Sequence, residues 1–126
     1  MLVLSGPPCS GKSSVGRLLA TDPPSIHIEV DSLFSLLLPD SDRGREDRML
    51  AYDAAHLLAR MCLDHGRTVV LECTCARREQ RSSLLAALAD VPEAPVWVVE
   101  LFVSPDGAVQ RFRQRRQWAD AGRGWA

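Results

Sequence analysis

Residues 6–13 read GPPCSGKS, which matches the pattern G-x-x-x-x-G-K-[ST] without a mismatch. Residues 1–5 before this segment form a short apolar run that is typical of a buried parallel strand. Residues 12–20 after it have the apolar spacing of a helix, and Pro7 and Pro8 exclude helix from the intervening loop. A glycine-bearing loop between a buried strand and a helix N-terminus directs backbone N–H groups at an anion. This segment therefore restricts the chain to folds in which a strand, a phosphate-binding loop and a helix follow one another.

The pattern is that of a P-loop, in which each residue type has a separate role. Lys12 is expected to reach the β- and γ-phosphates of ATP, and the hydroxyl of Ser13 is expected to ligate Mg²⁺. A glycine-rich turn without a ligand would not explain why this lysine and this serine occur together. The predicted nucleotide-binding residues are Gly6, Pro7, Pro8, Cys9, Ser10, Gly11, Lys12, Ser13 and Ser14.

Strand and helix patterns alternate along the chain. Apolar or alternating segments predict strands over residues 1–5, 26–30, 68–72 and 96–103. Helical spacing and capping residues predict helices over residues 12–20, 32–38, 46–64 and 77–90, and after Ser104 or Asp106. This alternation predicts an α/β three-layer P-loop NTPase fold with a mostly parallel sheet of four or five strands. The length of 126 residues fits a single domain over residues 1–126.

The larger apolar side chains of the helices recur at intervals of three and four residues, which is the pattern of an amphipathic helix on a core. We therefore expect them to face inward. In the first helix these are Val15, Leu18 and Leu19, and in the long helix they are Leu50, Ala54, Leu57, Leu58 and Met61. In the final helix they are Val109 and Phe112.

The charge of the chain is balanced overall but unevenly placed. The formal net charge is -1, which gives no general reason to expect binding to nucleic acid or to a membrane surface. The last 20 residues hold five arginines against Asp120, a local +4, so the remainder carries -5. We interpret residues 105–120 as an arginine-rich lid in which Arg111 and Arg115 share one helix face. A solvated helix face and a nucleic-acid-binding patch are the alternatives.

The sequence predicts a cytoplasmic protein, because no segment has the pattern of a signal peptide or a membrane span. The four cysteines lack the spacing of a zinc site. Free thiols, mostly buried, are the expected state in a reducing compartment. The cysteines are Cys9, Cys62, Cys73 and Cys75.

Two acidic residues follow predicted strands, at the edge where parallel α/β sheets bind ligands. Asp31 is the candidate catalytic base that positions an acceptor hydroxyl and takes its proton, and capping of the next helix is the alternative. Glu72 is the candidate acid that holds Mg²⁺ through water, against an unrelated strand-end carboxylate. Arg77, Arg78 and Arg81 open the following helix, where they either meet an anionic acceptor or are solvated.

The segments GPPCSGKSS, EVDSLFSLL and VVLECTCARREQRSSL, with the four-residue spacing of Arg111 and Arg115, carry a family resemblance. The chain resembles the small P-loop kinases that include chloramphenicol phosphotransferase, zeta toxins and the kinase domain of polynucleotide kinase. The resemblance implies that Asp31 activates the acceptor, that Glu72 stands where the polynucleotide kinase group has aspartate, and that the two arginines belong to a lid. It also implies a fifth strand and a final helix after the lid, for which residues 122–126 leave no room, so a truncated or shortened form is expected.

The predicted function is ATP- and Mg²⁺-dependent transfer of the γ-phosphoryl group to a hydroxyl. The acceptor is a small molecule or a nucleic-acid end, and the sequence does not choose between them or predict an oligomeric state. One alternative is an ATP-binding or weakly ATPase module without a specific acceptor. A second is a nucleic-acid binder that uses the C-terminal arginines without a nucleotide.

Overall fold

The computed structural model describes residues 1–21, 24–91 and 95–120. The strands are β1 (Leu2–Ser5), β2 (Ile26–Glu29), β3 (Val69–Cys73) and β4 (Trp97–Glu100). The helices are α1 (Lys12–Thr21), α2 (Val30–Leu37), α3 (Arg45–Asp64), α4 (Arg78–Leu88) and α5 (Pro105–Asp120). The strands form one parallel sheet in the order β2-β3-β1-β4, which confirms the predicted α/β fold. Among the described helices, none combines the length and apolar character that crossing a bilayer requires.

The sheet brings the carboxyl ends of β1, β2 and β3 to one edge. Leu4 in β1 lies opposite Glu72 in β3, and Glu29 in β2 lies opposite the same residue. All five residues of β3 are buried, as expected for an inner strand covered on both faces. The loop after β1, the first turn of α2 and the segment after β3 therefore start from the same edge.

The long helix α3 buries small side chains rather than its leucines. Ala51, Ala55 and Ala59 are fully buried, with Tyr52 and His56 beside them. The predicted inward residues Leu50, Leu57, Leu58 and Met61 are 40% to 58% exposed, so the predicted face was wrong. The leucines and the alanines both recur with helical spacing. Because alanine side chains are small, burying them allows α3 to approach its neighbours closely. The same error applies to α1, where Leu18 and Leu19 are exposed.

The fourth strand is half as long as predicted. It ends at Glu100 because its described pairing partner is β1, whose last residue, Ser5, pairs with Glu100. The N–H of Leu101 still donates to the carbonyl of Ser5 at 2.8 Å, and the chain then leaves the sheet. Ser104 caps α5 as expected, since its Oγ accepts the N–H of Gly107 at 3.0 Å. Contrary to the prediction, Val109 and Phe112 of α5 are exposed.

The second helix begins one residue before Asp31. Glu29 is the N-cap, with extended backbone angles of φ -103° and ψ 118°. Asp31 therefore lies in the first turn of α2, not at its cap, and the capping interpretation of this residue was wrong. Ser32 Oγ donates instead to Glu29 Oε2 at 2.8 Å. The carboxylate of Asp31 remains exposed to solvent.

The buried side chain of His56 should make the protein less stable in mild acid. His56 Nδ1 lies 2.8 Å from Ser83 Oγ, whose hydroxyl donates to Asp53 Oδ1 at 2.6 Å. Ser83 therefore accepts from Nδ1–H, while the buried Nε2 has no partner among the described residues. Burial lowers the pKa of His56 from 6.5 to about 4, because a proton on Nε2 would be an unpartnered charge.

Between pH 6.5 and about 4 the unfolded chain binds a proton at His56 that the folded chain does not. Stability is therefore lost as the pH falls through this window, by up to about 3 kcal/mol. Urea unfolding at pH 7 and pH 4.5 measures the loss. A His56→Asn variant, which can still donate to Ser83, should lack this part of the pH dependence. Equal pH dependence in both proteins would contradict the assignment.

Candidate active site

The P-loop connects β1 to α1 through a backbone that requires glycine at its start. Gly6 has φ +155°, and a Cβ there would lie 2.7 Å from the carbonyl oxygen of Leu101. Gly11, at the other end of the loop, has φ +93°, which residues with a side chain rarely adopt. Between them Cys9 has φ 62° and a buried side chain. The loop therefore curls back on itself before α1 begins at Lys12.

Lys12 is folded over the loop. Its Nζ donates to the carbonyl oxygens of Gly6 at 2.7 Å and Pro7 at 2.9 Å. Partial burial lowers the pKa of Lys12 below its usual value, while the negative charges of Glu72 and Asp31 act in the opposite direction. The ammonium group thus lies within electrostatic reach of both acids that the sequence singled out. A phosphate could replace the two carbonyl oxygens as its partner.

The first residues of α1 meet the end of β3. Ser13 Oγ donates to Glu72 Oε1 at 2.6 Å, although the two residues are far apart in sequence. Glu72 is buried, so its carboxylate is held in one position by this bond and by its strand. A serine hydroxyl and a carboxylate are the hard oxygen donors that Mg²⁺ prefers. These two residues therefore fit the predicted magnesium site.

His27 supports Glu72, and the sequence interpretation missed it. Its Nε2 lies 3.0 Å from Glu72 Oε2, and its Nδ1 lies 3.7 Å from Glu29 Oε1. Ligand atoms of the three residues all lie within 4.8 Å of one another. A Cβ at Gly16 of α1 would lie 2.7 Å from His27 Nε2, so α1 lies close over the ring. The alternation of β2, which places His27 and Glu29 on one face, was the available signal.

Tyr52 is a second residue that the sequence interpretation missed. Its hydroxyl accepts the N–H of Cys75 at 3.0 Å, which ties α3 to the segment after β3. Burial raises the pKa of Tyr52 to about 12, and the charge of Asp31 is one of the smaller contributions. Tyr52 therefore fixes the position of the chain where it leaves β3. The sequence around a buried tyrosine on a helix does not differ in any recognisable way from the sequence around an exposed one. The role of Tyr52 therefore could not be predicted.

The arginines of α5 reach the P-loop. Arg111 Nη1 donates to the carbonyl oxygen of Cys9 at 3.2 Å. A cavity of about 440 Å³ lies between the loop and α5. Its lining includes Ser10, Gly11, Ser14, Arg111 and Arg115. The charge of Arg115 contributes to lowering the pKa of Lys12, so the structure brings both predicted arginines to the nucleotide-binding residues.

The arginines at the start of α4 do not act together. Arg81 donates to the carbonyl oxygens of Cys75 at 3.0 Å and Ala76 at 2.9 Å, so it stabilises the turn after β3. Arg77 and Arg78 are exposed.

The cysteines are all free thiols, and Cys73 and Cys75 are buried.

Residues 1–122 match the model of the AAA_33 family, whose members are described as AAA domains. The chain belongs to this family. The match spans all four strands and includes the P-loop, Asp31, Glu72 and both α5 arginines. Among curated proteins, none matches the chain.

Solved structures with the same fold include several kinases. A Chloroflexus aurantiacus protein that is provisionally assigned as a kinase has a TM-score of 0.81 and 19% identity, over 99% of this chain and 71% of its own. A gluconokinase from Sinorhizobium meliloti has a TM-score of 0.66 and 24% identity, over 92% of this chain and 65% of its own. The Mycobacterium tuberculosis APS kinase CysC, in complex with AMPPNP and APS, has a TM-score of 0.76 and 23% identity, over 96% of this chain and 73% of its own. The chain therefore spans about two thirds to three quarters of the length of these proteins.

Proposed function

We propose that this protein is an ATP-dependent phosphotransferase that moves the γ-phosphoryl group to the hydroxyl of an acceptor. The observation that carries the proposal is the cavity between the P-loop and α5, which Arg111 and Arg115 line, with Asp31 exposed in the first turn of α2 at the same sheet edge. A protein that only binds ATP needs the loop and its lysine. An exposed carboxylate and a second cation at the same place are what transfer to an acceptor requires in addition.

The role that we propose for each residue of the site follows from where that residue lies in the structure. Asp31 is exposed at the sheet edge, so an acceptor hydroxyl can reach it and give up its proton as the hydroxyl oxygen bonds to the γ-phosphorus. The bond from that phosphorus to the bridging oxygen of ADP breaks at the same time. Lys12 and Arg115 stabilise the negative charge on the transferring group and on the departing oxygen. Mg²⁺ held by Ser13 and Glu72 would neutralise charge on the β- and γ-phosphates.

Several proteins of the same fold support the proposal. One is an APS kinase bound to AMPPNP and APS, and another is a gluconokinase. A chain of the Pnkp1/Rnl/Hen1 RNA repair complex also shares the fold, with a TM-score of 0.73 and 17% identity, over 90% of this chain and 36% of its own. We propose a small molecule as the acceptor, with a nucleic-acid end as the alternative. We also propose a cytoplasmic location, since the four cysteines are free thiols.

One observation favours a second function, that of an ATP-binding or weakly ATPase module. All four residues of β4 are exposed, and so are Val109 and Phe112 of α5. A lid that packs few apolar side chains against the rest of the protein holds its arginines weakly. Such a protein would bind ATP through the same P-loop but would not respond to any acceptor.

Replacing Lys12 with alanine should weaken the binding of ATP by about 10- to 100-fold, because one charge-assisted contact with phosphate is lost. Lys12 is the only lysine in the chain, so no second lysine can replace it in the Lys12→Ala variant. Isothermal titration calorimetry of ATP with Mg²⁺ measures the change. Arg67→Ala is the matched control, because it removes an exposed cation at the start of β3, at the opposite edge of the sheet. Unchanged affinity in the Lys12 variant would refute nucleotide binding by the loop.

A further inference from the structure

An arginine-lined cavity lies between the start of α3 and the start of α4, on residues that have no role in the proposed reaction. Its volume is about 210 Å³, the space of about seven water molecules. The charged residues that line it are Arg43, Arg45, Arg48, Arg77 and Glu79. Four guanidinium groups against one carboxylate give this arginine cavity a net charge of +3.

Two of the four arginines have partners. Arg45 Nε donates to Glu79 Oε1 at 3.0 Å and to Oε2 at 3.1 Å. These hydrogen bonds lower the pKa of Glu79 below its usual value, so the carboxylate stays charged and offsets one cation. The guanidinium of Arg43 lies 4.8 Å from the centroid of the buried Phe34 ring, with its NH2 atom 3.4 Å from Ser35 Oγ. Arg43 is thus oriented by α2 but not neutralised.

The other two arginines, Arg48 and Arg77, form no salt bridge with any carboxylate of the described residues, although the charge of Arg77 also acts on Glu79. The start of α4 is fixed, because Gln80 is buried and its Oε1 accepts the N–H of Arg77 at 3.1 Å. The guanidinium groups of Arg43, Arg48 and Arg77 line one cavity without a salt-bridge partner among the described residues, so an oxyanion there could accept their hydrogen bonds.

The arginine cavity lies on the acceptor side of the candidate active site. Arg45, Arg48 and Tyr52 follow one another at helical spacing on α3, so the two arginines lie about 10 Å and 6 Å along the axis from Tyr52. The hydroxyl of Tyr52 accepts the N–H of Cys75, in the segment that leaves the same sheet edge as α2. Phe34, on which Arg43 packs, is one turn of α2 beyond Asp31.

We propose that the arginine cavity binds an anionic group of the acceptor, a phosphate or a carboxylate, while a hydroxyl elsewhere on the same small molecule reaches Asp31. The inference rests on the proposed phosphotransferase function and narrows its substrate class. A small molecule is favoured over a nucleic-acid end because the cavity is small. Phosphate and carboxylate share the oxyanion chemistry that guanidinium groups recognise.

The first test uses the protein loaded with ADP and Mg²⁺, so that the P-loop is occupied, and titrates it with inorganic phosphate by calorimetry. The second test measures ADP formation from ATP with neutral and anionic hydroxyl compounds. Glucose is compared with glucose 6-phosphate and gluconate, and a nucleoside is compared with its 5′-monophosphate. A 5′-hydroxyl oligonucleotide tests the alternative of a nucleic-acid acceptor. The variant is Arg48→Gln with Arg77→Gln. The control is Arg67→Gln with Arg116→Gln, which removes two exposed guanidinium groups elsewhere.

We expect phosphate to bind the loaded protein, and we expect the Arg48/Arg77 variant to weaken that binding and to raise KM for an anionic acceptor by about tenfold or more. The control should stay within about twofold of the wild type. Absence of phosphate binding to the loaded protein, an unaffected variant, or a preference for the neutral member of every active pair or for the oligonucleotide would each overturn the inference. Those outcomes leave the proposed phosphotransferase function intact. If the protein does not bind ATP at all, both the proposed function and the inference about the arginine cavity are refuted.

Discussion

Replacing Arg115 with alanine should lower kcat for phosphotransfer by about 10³- to 10⁵-fold, the range found when an arginine that stabilises a phosphoryl-transfer transition state is removed. Arg115 lines the cavity between the P-loop and α5, and its charge acts on Lys12. Its guanidinium group is therefore near the site where negative charge builds up during transfer. The affinity for ATP should change far less than kcat, because the loop supplies most of the ground-state binding.

Arg116 gives a matched control for this prediction. It is the next residue of α5 and is exposed, so Arg116→Ala removes the same charge from the same helix on a different face. Arg115→Lys should restore only part of the rate, since lysine keeps the charge but not the two-pronged hydrogen bonding. Steady-state kinetics with the best acceptor measures all three variants. A kcat for Arg115→Ala within tenfold of the wild type would show that α5 is not a catalytic lid.

Replacing Asp31 with asparagine should lower the rate of phosphotransfer by about 10²- to 10⁴-fold, because asparagine cannot take the proton of the acceptor hydroxyl. Asp31 lies in the first turn of α2 and is exposed, so the substitution keeps the size of the side chain and should not affect folding. Calorimetry should give an ATP affinity close to that of the wild type. The expected result is a separation of catalysis from nucleotide binding.

Asp40→Asn is the corresponding control, because Asp40 is an exposed carboxylate in the turn after α2. It should leave both the rate and the affinity for ATP unchanged. The same variants also decide between the two proposed functions. If Asp31→Asn has the same ATP turnover as the wild type with every acceptor tested, the protein is an ATP-binding module rather than a phosphotransferase.

The residues of the candidate site that could be predicted from the sequence are those that belong to a motif or lie at the end of a predicted strand. The P-loop pattern located Lys12 and Ser13, and the end of the third strand located Glu72, which Ser13 contacts at 2.6 Å. His27 and Tyr52 were not predictable in the same way. They reach Glu72 and Cys75 by side-chain contacts between elements far apart in sequence, and neither belongs to a motif.

The helix faces show a different limit. Helical spacing in α3 is satisfied both by the leucines and by the alanine face, and the buried face is the one with the alanines, which also carries Tyr52 and His56. Apolar spacing predicts that a segment is a helix. Which of two possible faces is buried depends on how closely the neighbouring elements approach that helix. The length of β4 has a similar cause, since eight residues, seven of them apolar, predict a strand, but pairing with the four residues of β1 limits it to four.

By itself, the sequence determined the alternation of strands and helices and the position of the phosphate-binding loop, because both are local: they depend on the residues of one segment and on its neighbours in the chain. The tertiary structure alone decided which side chains meet that loop. Arg111 reaches Cys9 across 102 residues of chain, and the arginines of the cavity come from the starts of α3 and α4. Contacts of this kind depend on the parallel order of the strands, which sets the positions of elements that are distant in sequence.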